Sequence, residues 1–284
     1  MDFRPVIIIG APRSGTNLLR DLLTSLPGAT TWPCDEINPI WRHGNRSFAS
    51  DEIPREAATR EVRALVRGRF ERIAGPDTTH VIEKTCANAL RVPFVDAILP
   101  EAHYVHIVRD GRDAVVSMME RWTGSASLAY LLRKARFVPA TDVPFYAWRF
   151  VRARLSRLAR ADRALSTWGP RFAGIDEMVT TEPLGHVCAE QWRRCVKLAA
   201  DALERLPAER VTGARYEALV ESPRTEVSRI ATRVGLGEPG RESRIDAAGV
   251  HARSVGRWTA DADTVRSLVP RLEPELTRFG YGSD

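Results

Sequence analysis

Lysine is almost missing from this chain. Of 42 basic residues only Lys84, Lys134 and Lys197 are lysines, and the rest are arginines. The net charge of +6 is therefore carried by planar guanidinium groups, which suit phosphate and sulfate, although genomic base composition also produces such a bias. No aromatic-interleaved basic patch or recognition-helix motif accompanies the charge, so nucleic acid is not an expected partner. No apolar run reaches 18 residues, which excludes a membrane-spanning helix. No signal-peptide layout is visible, and a soluble, cytoplasmic protein is expected. Cysteine is scarce: Cys34, Cys86, Cys188 and Cys195 form no CxxC pair and no metal spacing. A reducing compartment and no metal site are the expectations. Cys188 and Cys195 lie seven apart on one apolar helix face with Trp192 and read as core.

Repeats, low-complexity segments and composition shifts are also absent. The expectation is one domain over residues 1–284, long enough for a large core.

What is present begins at Val6-Ile7-Ile8-Ile9, four β-branched apolar residues that read as a strand buried on both faces of a parallel sheet. Gly10 to Gly15 makes a tight turn, and from Thr16 onward Leu18, Leu19, Leu22, Leu23 and Leu26 have helical spacing. Strand, glycine turn and helix N-terminus form a phosphate cradle. The spacing Gly10-x4-Gly15 is that of a Walker A loop, but Gly15-Thr16-Asn17 replaces Gly-Lys-Ser/Thr. Arg13 supplies charge from inside the loop instead, which argues against an ordinary ATPase or kinase.

Further strands are expected at 80–82, 103–108 and 210–214, and helices at 54–74, 87–99, 144–166, 185–206, 216–220, 224–234 and 261–279, with one more after Asp113. Residues 27–51 and 167–182 read as loops, and 122–143 as irregular. The fold class is α/β: a P-loop-type parallel sheet flanked by helices, with a helical cap inserted at about 122–182. Open α/β sheets bind ligands at strand C-termini. Glu83-Lys84-Thr85-Cys86 stands at one such end and Arg109-Asp110-Gly111-Arg112-Asp113 at another. Arg109 and Ser117, eight residues on, suit a second phosphate. His103 and His106 lie within their strand and read as packed or capping.

The stretches Pro12-Arg13-Ser14-Gly15-Thr16-Asn17 and His106-Ile107-Val108-Arg109-Asp110-Gly111-Arg112, with Ser117, resemble the two phosphate motifs of sulfotransferases that use 3′-phosphoadenosine-5′-phosphosulfate (PAPS). Among these the chain is most similar to tyrosylprotein sulfotransferases. That likeness extends to Arg121, to Arg215-Tyr216-Glu217-Ala218-Leu219-Val220, to Arg257-Trp258-Thr259 and to Leu276-Thr277-Arg278-Phe279-Gly280-Tyr281. The resemblance implies transfer of a sulfuryl group from PAPS to an acceptor hydroxyl, leaving adenosine 3′,5′-bisphosphate. It assigns Arg13, Ser14, Gly15, Thr16 and Asn17 to the 5′-phosphosulfate, and Arg109, Ser117 and Arg121 to the 3′-phosphate. Tyr216 falls near the nucleotide, and Arg253 or Arg257 adds a second 3′-phosphate ligand. Lys84 matches the lysine that touches the transferring group.

Two positions depart from relatives. Cys86 stands where cytosolic sulfotransferases have a histidine base. Glu36-Ile37-Asn38 lacks the arginine of the Glu-x-Arg found in tyrosylprotein sulfotransferases. A carboxylate is then expected as base: Glu36 by whole-chain likeness, or Glu83, because Glu83-Lys84-Thr85 is similar to the Glu-Lys-Ser/Thr of heparan sulfate sulfotransferases. Glu36 is the preferred candidate. The acceptor is left open among tyrosine phenol, glycan and other small hydroxyl compounds, as is the oligomeric state. The alternative function is a P-loop kinase or nucleotide phosphotransferase.

Overall fold

In a computed structural model the described residues are 2–123, 138–145, 148, 168–236, 247 and 249–282. Their sheet has five parallel strands in the order β2-β3-β1-β4-β5: β1 (Arg4–Ile9), β2 (Ala29–Thr30), β3 (His80–Lys84), β4 (His103–Val108) and β5 (Val211–Arg215). The apolar run in β1 is central, as its burial on both faces requires. The strand order reverses beside it, so the loop after β1 opens into the crevice where α/β sheets bind ligands.

Side chains alternate across each strand, and the two faces build separate cores. Val6, Ile8, Ile82, Val105 and Ile107 pack on one side. There they meet α1 (Thr16–Thr24) and, further along the chain, Tyr216 to Val234. Ile7, Ile9, Val81 and Tyr104 face the other side. That side is covered by α2 (Asn38–Trp41), α3 (Arg60–Ile73), α4 (Val92–Ile98), α5 (Gly111–Thr123), α6 (Ile175–Thr181) and α7 (Leu184–Leu203). The remaining helices are α8 (Tyr216–Glu221), α9 (Pro223–Val234), α10 (Ala262–Arg266) and α11 (Val269–Arg278). Cys188, Cys195 and Trp192 are buried together in the second core, as their spacing implies.

Several boundaries differ from the sequence reading. Thr59 caps α3 by accepting from the Val62 amide at 3.4 Å, so the helix starts at Arg60 rather than Pro54. Pro93 restarts the 87–99 segment as a short 3-10 turn followed by α4. Residues 261–279 break at Leu268 into α10 and α11. The loop 27–51 contains β2 and α2, and the loop 167–182 contains α6, which starts after Gly174 in a left-handed conformation (φ 91°). The expected helix 144–166 and most of the cap at 122–182 lie outside the described residues. Of that segment, Asp142 is buried and receives His43 and Arg46 from the loop after α2, at 3.0 and 3.2 Å. No helix among the described residues is long and apolar enough to cross a membrane.

Candidate active site

The loop between β1 and α1 is held in a strained, specific shape. Arg13 has φ 65°, the one positive value outside glycine among the described residues. Gly15 (φ 81°) gives α1 its N-terminus, and a Cβ there would lie 2.3 Å from Tyr216 Cδ2. Glycine is therefore required twice at this position, for backbone freedom and for the ring above it. No side chain caps the first turn of α1, which leaves its N–H groups for an anion.

The two anion sites expected from sequence form one cluster. Arg13 Nε donates to Ser117 Oγ at 2.9 Å, and Arg109 Nη1 donates to the Arg13 carbonyl at 2.9 Å. Burial, then the charges of Arg109 and Arg121, lowers the Arg13 pKa. Cations crowded in this way are stabilised by an incoming anion. Two buried polar atoms here lack a hydrogen-bond partner: Ser14 Oγ and Arg109 Nε. Orphaned donors of this kind fit phosphate oxygens.

Tyr216 closes the cluster from the end of β5. The Arg109 guanidinium stacks 4.5 Å from its ring centroid, and its hydroxyl meets Ser254 Oγ. The Ser254 carbonyl also accepts from Arg109 Nη2. Asp113 receives the amides of Gly256 and Trp258 at 2.8 and 3.0 Å, docking residues 254–258 on the start of α5. Ser254 was not singled out in the sequence, since its signal is only adjacency to the Arg257-Trp258 block. Arg253 and Arg257 are exposed, and Arg257 pairs with Glu120 at 2.7 Å rather than joining the cluster. Arg121 and Asn17 are also exposed, while Thr16 is buried with its Oγ1 3.7 Å from Cys86 Sγ.

Register separates the two carboxylate candidates. On β3, Lys84 pairs with Ile8 and Glu83 with Ile7, so they point to opposite faces of the sheet. Lys84 points to the α1 face. It is 5% exposed, and its Nζ lies 3.2 Å from Glu36 Oε1. Burial opposes the Lys84 charge, but Glu36 outweighs it and the pKa rises. The same Glu36 oxygen receives the Cys86 amide at 3.3 Å. Glu36 keeps 22% of its side chain exposed and lines a small cavity of about 10 Å³ with Arg20, Trp32, Asp35, Lys84 and, from its far side, Glu83. Glu83 is 1% exposed, and both its oxygens are engaged, by Thr85 Oγ1 at 2.5 Å and Asn88 Nδ2 at 3.0 Å. Burial pushes its pKa up to about 7.

Cys86 cannot serve in place of a histidine, because burial and then Glu36 push its thiol to about 12. His103 donates to or accepts from Thr212 Oγ1 at 2.8 Å, and His106 packs edge-on to Phe279. Burial holds both near 4, so they are neutral structural groups.

A family model described as the sulfotransferase family matches residues 5–166, more than half the chain and both phosphate motifs. The chain belongs to the sulfotransferase family. The sulfotransferase is accordingly an enzyme that transfers a sulfuryl group, and the kinase alternative is set aside. Its fold agrees with that of solved sulfotransferases. The sulfotransferase domain from the curacin biosynthetic pathway is 15% identical over 99% of this chain and 98% of that one, with TM-score 0.52. Sulfotransferase STF9 from Mycobacterium avium is 13% identical over 98% and 77%, with TM-score 0.54. A sulfotransferase domain from the Synechococcus PCC 7002 olefin synthase is 16% identical over 95% and 94%, with TM-score 0.50. At these identities the likeness speaks to fold alone. No curated protein matches the sulfotransferase in sequence. Among the described residues no group of His, Cys, Asp or Glu is placed to hold a metal ion.

Proposed function

We propose that Glu36 is the general base of a sulfuryl transfer to an acceptor hydroxyl, and that Lys84 and the Arg13 loop hold the transferring group. The observation that carries this reading is the position of Glu36. It is the carboxylate beside Lys84 on the face of the sheet that also bears the phosphate loop, whereas Glu83 points away. The acceptor is a hydroxyl compound entering the single domain 1–284 on the Glu36 side.

PAPS supplies a sulfuryl group already activated on a phosphate, so the protein has three tasks. Arg13, Ser14, Gly15, Thr16 and Asn17 bind the 5′ end, where backbone amides and the start of α1 converge. Arg109, Ser117 and Arg121 bind the 3′-phosphate, with the Tyr216 ring fixing Arg109. Arg253 or Arg257 joins these ligands once residues 253–258 carry it inward. Lys84 opposes the charge that develops as the bridging bond breaks, and Glu36 takes the acceptor proton.

Turnover of Glu36→Gln and Glu83→Gln with labelled PAPS and a panel of hydroxyl acceptors tests the assignment. Glu36→Gln is expected to keep bisphosphate affinity while losing on the order of 10²–10⁴ in turnover. Glu83→Gln should lose less. Near-normal turnover of Glu36→Gln with a dead Glu83→Gln would transfer the role of base to Glu83 and favour a glycan acceptor.

A further inference from the structure

Behind Lys84 lies a buried polar network with no part in the transfer just described. Glu83 Oε1 accepts from Thr85 Oγ1 at 2.5 Å, and Thr85 Oγ1 in turn accepts the Ile37 amide at 3.2 Å. Glu83 Oε2 accepts from Asn88 Nδ2 at 3.0 Å. Asn88 Oδ1 accepts from Arg91 Nε at 2.9 Å, and Arg91 Nη2 donates to Asn38 Oδ1 at 2.5 Å. Thr85, Asn88 and Arg91 are at most 1% exposed. Two hydrogen-bonded paths thus leave one carboxylate, and they end on Ile37 and Asn38, the two residues that follow Glu36.

We propose that Glu83 is a positioning residue. Through Thr85 on one path, and Asn88 with Arg91 on the other, it fixes residues 36–38 so that the Glu36 carboxylate meets Lys84 and the Cys86 amide. The proposal rests on Glu36 acting as the base.

The donor and acceptor roles in the network leave no slack. Thr85 has one hydroxyl proton, and it goes to Glu83, which leaves its lone pairs for the Ile37 amide. Asn88 turns its NH₂ to Glu83 because its carbonyl is taken by Arg91. With the carboxylate ionised, both Glu83 oxygens accept. Adding a proton reverses the Thr85 bond, with Glu83 donating to Thr85 Oγ1, and keeps the bond from Asn88. Burial opposes the Glu83 charge most and Glu36 adds to that opposition, while the Thr85 hydrogen bond and Lys84 on the same strand favour the charge. Glutamine at position 83 can turn its carbonyl to Asn88 only by giving its NH₂ to Thr85 Oγ1, which leaves the Thr85 hydroxyl proton without its acceptor.

The experiment combines amide exchange at Ile37 with kinetics of Thr85→Val, Thr85→Ser, Glu36→Gln and the double variant Thr85→Val/Glu36→Gln. Thr85→Val is expected to expose the Ile37 amide to exchange and lower kcat about tenfold, with bisphosphate affinity unchanged. Thr85→Ser should restore both. A positioning residue acts through another, so Thr85→Val should cost almost nothing once Glu36 is already Gln. Glu83→Gln serves as the second probe should Thr85→Val fold poorly, with the same Ile37 exposure and the same loss of effect on the Glu36→Gln background.

Three results would overturn the proposal: retained Ile37 protection in Thr85→Val, unchanged kcat despite lost protection, or a full tenfold loss persisting in the double variant. Failure of the underlying reading looks different, because Glu36→Gln alone would then keep its turnover.

Discussion

Lys84 and Glu36 lie 48 residues apart in sequence and 3.2 Å apart in space, and they are joined at the end of β3 beside the phosphate loop. The pair is buried on the lysine side and open on the carboxylate side, with side-chain exposures of 3% and 22%. That asymmetry suits a fixed cation for the donor and a reachable acceptor of protons from the other substrate. Lys84→Ala should therefore lower turnover at saturating PAPS far more than it weakens adenosine 3′,5′-bisphosphate, measured by single-turnover kinetics and calorimetry. Equal losses in both would assign Lys84 to ground-state binding.

Arg109→Ala should show the reverse split. Arg109 touches the Arg13 carbonyl, Ser254 and the Tyr216 ring, and in the proposed site it binds the 3′-phosphate, which does not react. Losing one charge-assisted contact costs roughly 1.5–3 kcal/mol, so bisphosphate affinity should fall about 10- to 150-fold. Turnover of the saturated enzyme should fall much less. A large loss at saturation with affinity intact would contradict the placement.

Gly15→Ala places a methyl against Tyr216 at a backbone angle that disfavours any side chain. The conformational term alone is about 1–2 kcal/mol. The variant should melt lower and bind bisphosphate more weakly, since both Tyr216 and the first turn of α1 must shift. A melt and a binding isotherm identical to the parent would show that the turn is not held as described.

Burial raises Glu83 to about 7 from its ordinary 4.5, so the folded state disfavours its charge. The sign follows directly. Stability from this group is full below about pH 4.5 and is lost as pH rises toward and through 7. A shift of this size corresponds to about 3 kcal/mol. Denaturant unfolding at pH 4.5, 6 and 8 should show the parent losing stability relative to Glu83→Gln as pH rises. An equal or opposite trend would mean that Glu83 is already ionised throughout.

Much of the fold was legible because the strongest signals were local. The run Val6 to Ile9 could only be a central strand, and the Gly10 to Gly15 turn and Arg109 block named the two stretches that meet in the Arg13–Arg109 cluster. Weak local signals failed. Helix α6 has seven residues, with Val and three Thr or Glu positions of poor or exposed character, and follows Gly169, Pro170 and Gly174; it forms because Ile175 is buried in the core. Strand β2 is two residues long and has no period to detect.

The site was legible in its parts but not in its choice of base. Both Glu36 and Glu83 were named, yet what separates them is the facing of Glu83 toward Thr85 and Asn88 and a contact spanning 48 residues. Sequence spacing alone carries neither. Arg257 shows the same limit, since its pairing with Glu120 is set by how residues 254–258 dock on α5.

The central claim is that the Arg13–Arg109 cluster is a metal-independent site for adenosine 3′,5′-bisphosphate. A thermal melt in a metal chelator, with and without the bisphosphate, tests it most directly. At about 100 times its dissociation constant the ligand should add roughly 2.7 kcal/mol to stability. A melt unmoved by the bisphosphate but raised by magnesium ATP would contradict the account.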